Sequence, residues 1–149
     1  MQFATESLYD VMGEVAPLLC EHWEQIALDK DTVKLSPDWD VYKFMQDHDK
    51  LHITTVRQEG ELVGYVVYLI SRSLHYVDEV FAEGDLFWLS PQHRKGSAGL
   101  KMFKHAEAAL RGKGVTKVIN KVKLHFDVGK IFERMGYQPI ERVYAKGLR

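Results

Sequence analysis

Between residues 86 and 114 the sequence changes character three times. LFWLS (86–90) is apolar and aromatic, Pro91 stops it, and QHRKGSAG (92–99) is small, basic and rich in glycine. Leu100, Met102, Phe103, Ala106, Ala109 and Leu110 then recur at helical spacing up to Gly112 and Gly114. A strand that feeds a small-residue turn that feeds an amphipathic helix restricts the chain to folds in which helices cover a sheet. The first turn of such a helix exposes backbone N–H groups with no intrahelical partner, and the helix dipole favours an anion there. Residues 94–100, Arg94 to Leu100, are therefore a candidate phosphate cradle. Arg94 and Lys95 bring charge to its lip, while Gly96, Ser97, Ala98 and Gly99 are small enough to let a pyrophosphate reach the backbone. It is neither a Walker loop, since G-x-x-x-x-G-K-[ST] is absent, nor a dinucleotide fingerprint, since G-x-G-x-x-G is missing. On the turn alone, the competing reading is a glycine-rich turn that merely packs a helix on a strand.

Upstream, Leu8, Val11, Met12, Val15, Leu18, Leu19, Trp23 and Ile26 lie three or four apart. This predicts one long amphipathic helix over 6–28, or two split near Pro17, with Cys20 on the apolar side as a core residue. Ser36-Pro37-Asp38 opens a second helix to about Asp47, because Ser caps and Pro suits a first turn, with Val41, Phe44 and Met45 as its buried side. LHITTVRQ (51–58) is β-branched and alternating, and Glu59-Gly60 turns it into ELVGYVVYLISRS, a hairpin. A strand, or a pair of short ones, covers about 77–90. After the central helix, VTKVINKVKL (115–124) reads as a strand, HFDVGKIFERMGY (125–137) as a short helix stopped by Gly136, and 138–148 as a last strand. The order is α/β with a mixed sheet.

At 149 residues, 46% apolar and 28% charged, the chain is sized for one soluble domain, residues 1–149. Twenty Lys plus Arg against 21 Asp plus Glu leave no surplus for neutralising phosphates, so a nucleic-acid partner is disfavoured. The single cysteine excludes an intrachain disulfide, and no Cys/His spacing suits a metal. No apolar run approaches the roughly 18 residues of a membrane span. Glu6, Asp10 and Glu14 stand where a signal peptide would be basic and then apolar, so a cytoplasmic protein is expected.

The stretch LFWLSPQHRKGSAGLKMFKHAEAALRGKG resembles motif A of the GNAT superfamily of acyl-CoA-dependent N-acetyltransferases. In that motif a strand ending in an L-x-V-x-P-like segment leads into R-x-x-G-x-G/A and an amphipathic helix. Phe87, Leu89 and Pro91 match the strand end, and Arg94 and Gly99 the outer loop positions, with Ser97 in place of the middle glycine. A shift of one residue puts His93 at the basic position and Gly96 and Ala98 at the small ones. Residues 125–137 resemble motif B, N-x-x-A-x-x-[LF]-Y-x-x-x-G-[FY]. Gly136 and Tyr137 match, whereas His125, Val128 and Phe132 replace the usual Asn, Ala and Tyr. The loop R-K-G-S-A-G with the ending F-E-R-M-G-Y-Q-P-I-E looks most like small members encoded by bacteriophages, for which the compartment is the host cytoplasm.

The resemblance implies a GNAT-like mixed, mostly antiparallel central sheet flanked by helices. Acetyl-CoA would be wedged between splayed strands, one ending at Ser90 and one starting at Val115, and a homodimer is compatible. It implies acetyl transfer to a primary amine, on a small molecule, a protein N-terminus or a lysine, by direct attack and without metal. A main-chain N–H at Leu89 or its neighbour would polarise the thioester carbonyl. His125 and Phe132, at motif B positions, join the loop in the expected CoA-contacting set. Glu83, eleven residues before Arg94, stands where many members carry the residue that takes the amine proton, often through water. Asp85 is its same-face neighbour at strand period two, and Glu79 is the weaker third.

Phe132 cannot donate a proton to the leaving thiolate, which leaves His125, His93, Tyr144 or water. It also opens a different reading, a catalytically weak acyl-CoA-binding or protein-interaction module on the same fold. Lys121 and Lys123 are either a solvated strand face or contacts to CoA phosphates. Trp23, Trp39, Tyr42 and Phe44 read as core, although in this family the helices that hold them line the acceptor site.

Overall fold

Alternation along the central hairpin sends successive side chains to opposite faces of a sheet, so each face needs a cover. The computed structural model, which describes residues 1–149, supplies both covers. Strands β1 (Gln2–Thr5), β2 (Leu51–Gln58), β3 (Glu61–Arg72), β4 (Val80–Leu89) and β5 (Lys117–Ile119) form one five-stranded sheet in the order β1-β2-β3-β4-β5. Three pairings are antiparallel, and β4 with β5 is parallel. Helices α1 (Leu8–Ile26) and α2 (Trp39–Asp47) lie on one face, α3 (Ala98–Gly112) and α4 (Gly129–Arg134) on the other. Val11, Val15 and Leu19 pack with Ile53, Tyr65, Val67 and Trp88. On the opposite face Met102, Phe103, Ala106 and Leu110 pack with Val56, Val66, Tyr68 and Ala82. No helix is long and apolar enough to cross a membrane.

The hairpin forms where the sequence predicts it, with Glu59 and Gly60 both at positive φ, the requirement of a tight two-residue turn that matches strand twist. Helix α1 is continuous through Pro17, capped by Ser7, whose side chain accepts from the Tyr9 N–H. Arg57 then locks the start of the chain to the hairpin. Its guanidinium donates to Glu6 Oε2 at 2.9 Å, to Glu14 Oε1 at 2.8 Å and to the Gly60 carbonyl at 2.9 Å.

Several expectations are corrected. Asp38, not Ser36, caps α2, its carboxylate accepting from the Val41 N–H at 3.1 Å. Of the expected buried side, Met45 packs on the core together with Trp39 and Tyr42, whereas Val41 and Phe44 are exposed. Cys20 is exposed because Leu19 and His22 take the inward positions of that turn. β1 gave no sequence signal, being only four residues long. The strand expected over 115–124 keeps only Lys117–Ile119. The last strand, over 138–148, is absent, and every residue from 138 to 149 is exposed without regular structure. Ile140, Tyr144 and Leu148 would share one face of such a strand, but they stand four apart with charged Arg142 and Lys146 between them on that face, and Pro139 removes a ladder donor.

The Arg57 cluster predicts an acid response. Its hydrogen bonds hold the carboxyls of Glu6 and Glu14 below their ordinary values. Carboxyls depressed in the folded state contribute stability that is present above the ordinary range, about pH 4, and lost as pH falls through their folded values. Melting temperature followed from pH 7 to pH 2 is expected to drop steeply below about pH 4. Arg57→Met should be less stable at pH 7 and show a shallower acid slope, and parallel slopes would contradict the assignment.

Candidate active site

β4 and β5 begin paired and then part. Phe81, Ala82 and Glu83 face Lys117, Val118 and Ile119, and no pairing follows. Immediately beyond, the β3–β4 register slips. Gly84 stands opposite Tyr68 and Leu86 opposite Val67, so Asp85 is the extra residue of a bulge. A bulge bends its strand and increases its twist, which aims the remainder of β4 away from the line of β5. At the far end, Gly64 lets β3 close onto the strand terminus. A Cβ there would meet Leu89 Cδ1 at 2.6 Å and the Trp88 carbonyl at 3.0 Å.

The backbone at this terminus is oriented by two hydrogen bonds. The Ser90 N–H donates to the Val63 carbonyl at 2.8 Å, toward β3, whereas the Leu89 carbonyl accepts from Arg94 Nε at 2.6 Å, away from β3. In a ladder the N–H and C=O of one extended residue point to the same side, so the Leu89 N–H faces the gap that β5 leaves. Next come a 3-10 turn over Pro91–His93, with Ser90 Oγ and His93 Nδ1 2.7 Å apart, and Gly96 at φ +86°. Lys101 is the first residue of α3 whose N–H finds a helical carbonyl, that of Ser97 at 2.9 Å. Ser97 makes no side-chain cap, which leaves the N–H groups of Ala98, Gly99 and Leu100 without partners.

The expected site residues are distributed unevenly. Lys95 is exposed at the loop, but Arg94 turns back, its Nη2 donating to Gln25 Oε1 at 2.6 Å and its guanidinium lying 5.1 Å from the Phe126 ring centroid. It braces the strand end against α1 instead of standing at the lip. Glu83 Oε2 lies 3.0 Å from Lys121 Nζ where the strands part, and Asp85 accepts the Tyr42 hydroxyl from α2. Burial, then that hydrogen bond, pushes the Tyr42 phenol up. His125 Nε2 lies 3.0 Å from the Ile26 carbonyl, tying the chain after β5 to the end of α1. Phe132 is a core residue, 6% exposed and 4.7 Å from Phe103 between ring centroids. Tyr144 is 85% exposed in the irregular tail and belongs to no strand.

Sequence reasoning missed two polar groups beside the gap. The Tyr68 hydroxyl donates to Asn120 Oδ1 at 2.7 Å, and Asn120 Nδ2 is buried without a partner. His22, 5% exposed, places Nδ1 3.1 Å from the Tyr65 hydroxyl, and Tyr65 stacks on Trp88 at 6.1 Å. Burial, then Arg94 and Lys123, lowers the His22 imidazole to about 4. The only signal for His22 was its place three residues after Leu19 on the apolar stripe of α1.

A family model for the acetyltransferase (GNAT) family matches residues 15–137. The chain belongs to this family. Among solved structures, the ribosomal-protein-alanine N-acetyltransferase of Brucella melitensis biovar Abortus 2308 superposes with a TM-score of 0.72 at 17% identity, covering 99% of this chain and 100% of that one. An aminoglycoside acetyltransferase from an uncultured soil metagenomic sample, in complex with trehalose, gives 0.75 at 11% identity, covering 99% and 96%. An acetyltransferase of Clostridium acetobutylicum with acetyl-CoA gives 0.68 at 8% identity, also covering 99% and 96%. At these identities the likeness establishes the GNAT fold. No curated protein matches the chain in sequence.

With its folded value near 4 and its unfolded value near 6.5, His22 binds more protons when unfolded across that window. Its contribution to stability therefore falls as pH drops from about 6.5 toward 4. NMR ring resonances of His22 are expected to keep the neutral form from pH 8 down to about pH 5. A titration midpoint near 6.5 would show that the ring is not enclosed.

Proposed function

We propose that this GNAT protein is an acyl-CoA-dependent N-acetyltransferase that moves the acetyl group of acetyl-CoA to a primary amine by direct attack. The observation that carries the reading is a backbone one. The Leu89 N–H faces the gap between β4 and β5, and one loop later three unpartnered N–H groups open α3. A carbonyl donor and a pyrophosphate cradle thus lie on one continuous stretch of chain. Loop residues 94–100 serve the co-substrate, with Lys95 adding charge. Glu83 takes the amine proton through water, and Asp85 fixes Tyr42 beside it. The acceptor is a small-molecule amine, a protein N-terminus or a lysine. The R-K-G-S-A-G loop and the ending after Phe132 support a bacteriophage-type member at work in a cytoplasm.

Phe132 favours a second reading, an acyl-CoA-binding module with weak catalysis, because its ring puts a core hydrocarbon where a hydroxyl would serve the thiolate. Calorimetry with CoA and thiol release over a panel of amines separate the two, since a binding module takes CoA and releases no thiol.

Gly99→Glu is expected to abolish CoA binding by adding bulk and a like charge at the cradle. Gly99→Ala should keep it, because a Cβ there lies at an ordinary 3.5 Å from Ile131 Cδ1. Unchanged affinity in the Glu variant overturns the cradle. Glu83→Gln should lower kcat/KM by roughly 10²–10⁴, most strongly below neutral pH, with acetyl-CoA affinity preserved. Asp85→Asn is the matched control. If both variants match the parent at every pH, proximity alone drives the transfer and Glu83 is no base.

A further inference from the structure

Between the second half of α1 and the chain that leaves β5 lies a pocket of about 200 Å³ lined by Leu19, His22, Trp23, Ile26, Ala27 and Lys123. Its walls are apolar and its polar groups are two. The first, His22, is built in from beneath. Its Nδ1 is engaged by the Tyr65 hydroxyl, while its Nε2 makes no hydrogen bond and is not among the sealed, unpartnered atoms, which are His52 Nδ1, Trp88 Nε1 and Asn120 Nδ2. The free ring nitrogen therefore reaches the pocket. The Tyr65 hydroxyl makes no other hydrogen bond, so its O–H is assigned as the donor to Nδ1; the neutral ring then carries its proton on Nε2 and presents a donor.

The second polar group is a cation without a counter-ion. Lys123 is in no ion pair, and Arg94, the other charge that bears on His22, spends its hydrogen bonds on the Leu89 carbonyl and the Gln25 amide oxygen. The carboxylates nearby are otherwise placed. Glu24 pairs with Lys30, and Glu21 stands on the exposed side of α1, bonded to Gln25. No carboxylate lines the pocket. Its size is below the roughly 300–1,000 Å³ of sites that enclose drug-sized ligands, so it suits one branched or aromatic side chain.

We propose that this pocket receives the acceptor, and that the acceptor is a small amine carrying an apolar group and a carboxylate, an amino-acid-like molecule rather than a polycationic aminosugar. The inference rests on the acetyl-transfer reading for the role of the ligand. The apolar group lies among Leu19, Trp23 and Ile26, and the carboxylate takes the His22 Nε2–H and the Lys123 ammonium. An aminosugar would bring several ammonium groups to the one unpaired cation of the pocket, Lys123, with no carboxylate in the lining to receive them, a like-charge encounter that works against binding.

The test is equilibrium binding, which needs no turnover. Tryptophan fluorescence, to which Trp23 in the pocket wall contributes, and calorimetry follow L-phenylalanine, phenethylamine and kanamycin added to the CoA-loaded protein and to the free protein. L-Phenylalanine is expected to bind at least about tenfold more tightly than phenethylamine, the same amine without the carboxylate, with kanamycin weakest. Lys123→Met, a change at an exposed position, should erase most of that tenfold difference in the free protein as well as in the CoA-loaded one. Equal affinity for the first two amines, tighter kanamycin, no binding of any amine, or a Lys123→Met effect on CoA alone each overturns the pocket's assignment. Failure of CoA itself to bind counts instead against acetyl transfer, and the titrations of free protein still decide the pocket.

Discussion

A backbone N–H inside a sheet that loses its ladder partner must find another acceptor or carry a desolvation penalty of about 1–3 kcal/mol. The parting of β4 from β5 after Glu83 creates this situation, and the rest of the site depends on it. The bulge at Asp85 bends the strand, Gly64 lets β3 follow it to its end, and Arg94 takes the outward carbonyl of Leu89. What stays unsatisfied is the N–H on the same side. Two full cores, one on each face of the sheet, hold the strands where they are.

The two sides of the gap have different chemistry because different elements cover them. On the α1 and α2 side, Asp85 meets Tyr42, Glu83 meets Lys121, and His22 sits on Tyr65. The carboxylates of Glu83 and Asp85 stand near the surface, as proton transfer to water requires, whereas His22 and Tyr65 are buried. On the α3 and α4 side, Phe87, Phe103, Phe132 and Tyr137 pack edge to face. That aromatic group keeps α4 on α3, with Phe132 at its centre. Tyr68 and Asn120 mark the border between the two regimes, at the fork itself.

Much of the sheet was legible in the sequence because alternation and turn residues act locally. The hairpin at Glu59-Gly60, the helix after the small-residue loop and the stop at Gly136 were all read from neighbours in the chain. The misses share a physical cause, dependence on distant partners. β1 is a strand only because β2 offers an edge, and the tail from Gln138 is not one because Ile140, Val143 and Tyr144 have no layer to cover them. The loop was legible as a motif, but Arg94's turn toward Gln25 and Phe126 arises from the packing of α1 against the chain after β5. His22 and Tyr65 look like ordinary core residues until the fold joins them across 43 positions.

The central claim is that one backbone N–H at the end of β4 faces the acetyl group, while those opening α3 face the pyrophosphate. Backbone amide NMR during titration with CoA and then with acetyl-CoA tests it most directly. CoA alone should shift the amides of Ala98, Gly99 and Leu100 and leave that of Leu89 nearly in place. Acetyl-CoA should shift Leu89 as well, downfield, as expected for an N–H that gains a carbonyl acceptor. A Leu89 amide that is silent to both ligands, or that responds equally to CoA and acetyl-CoA, would contradict the claim.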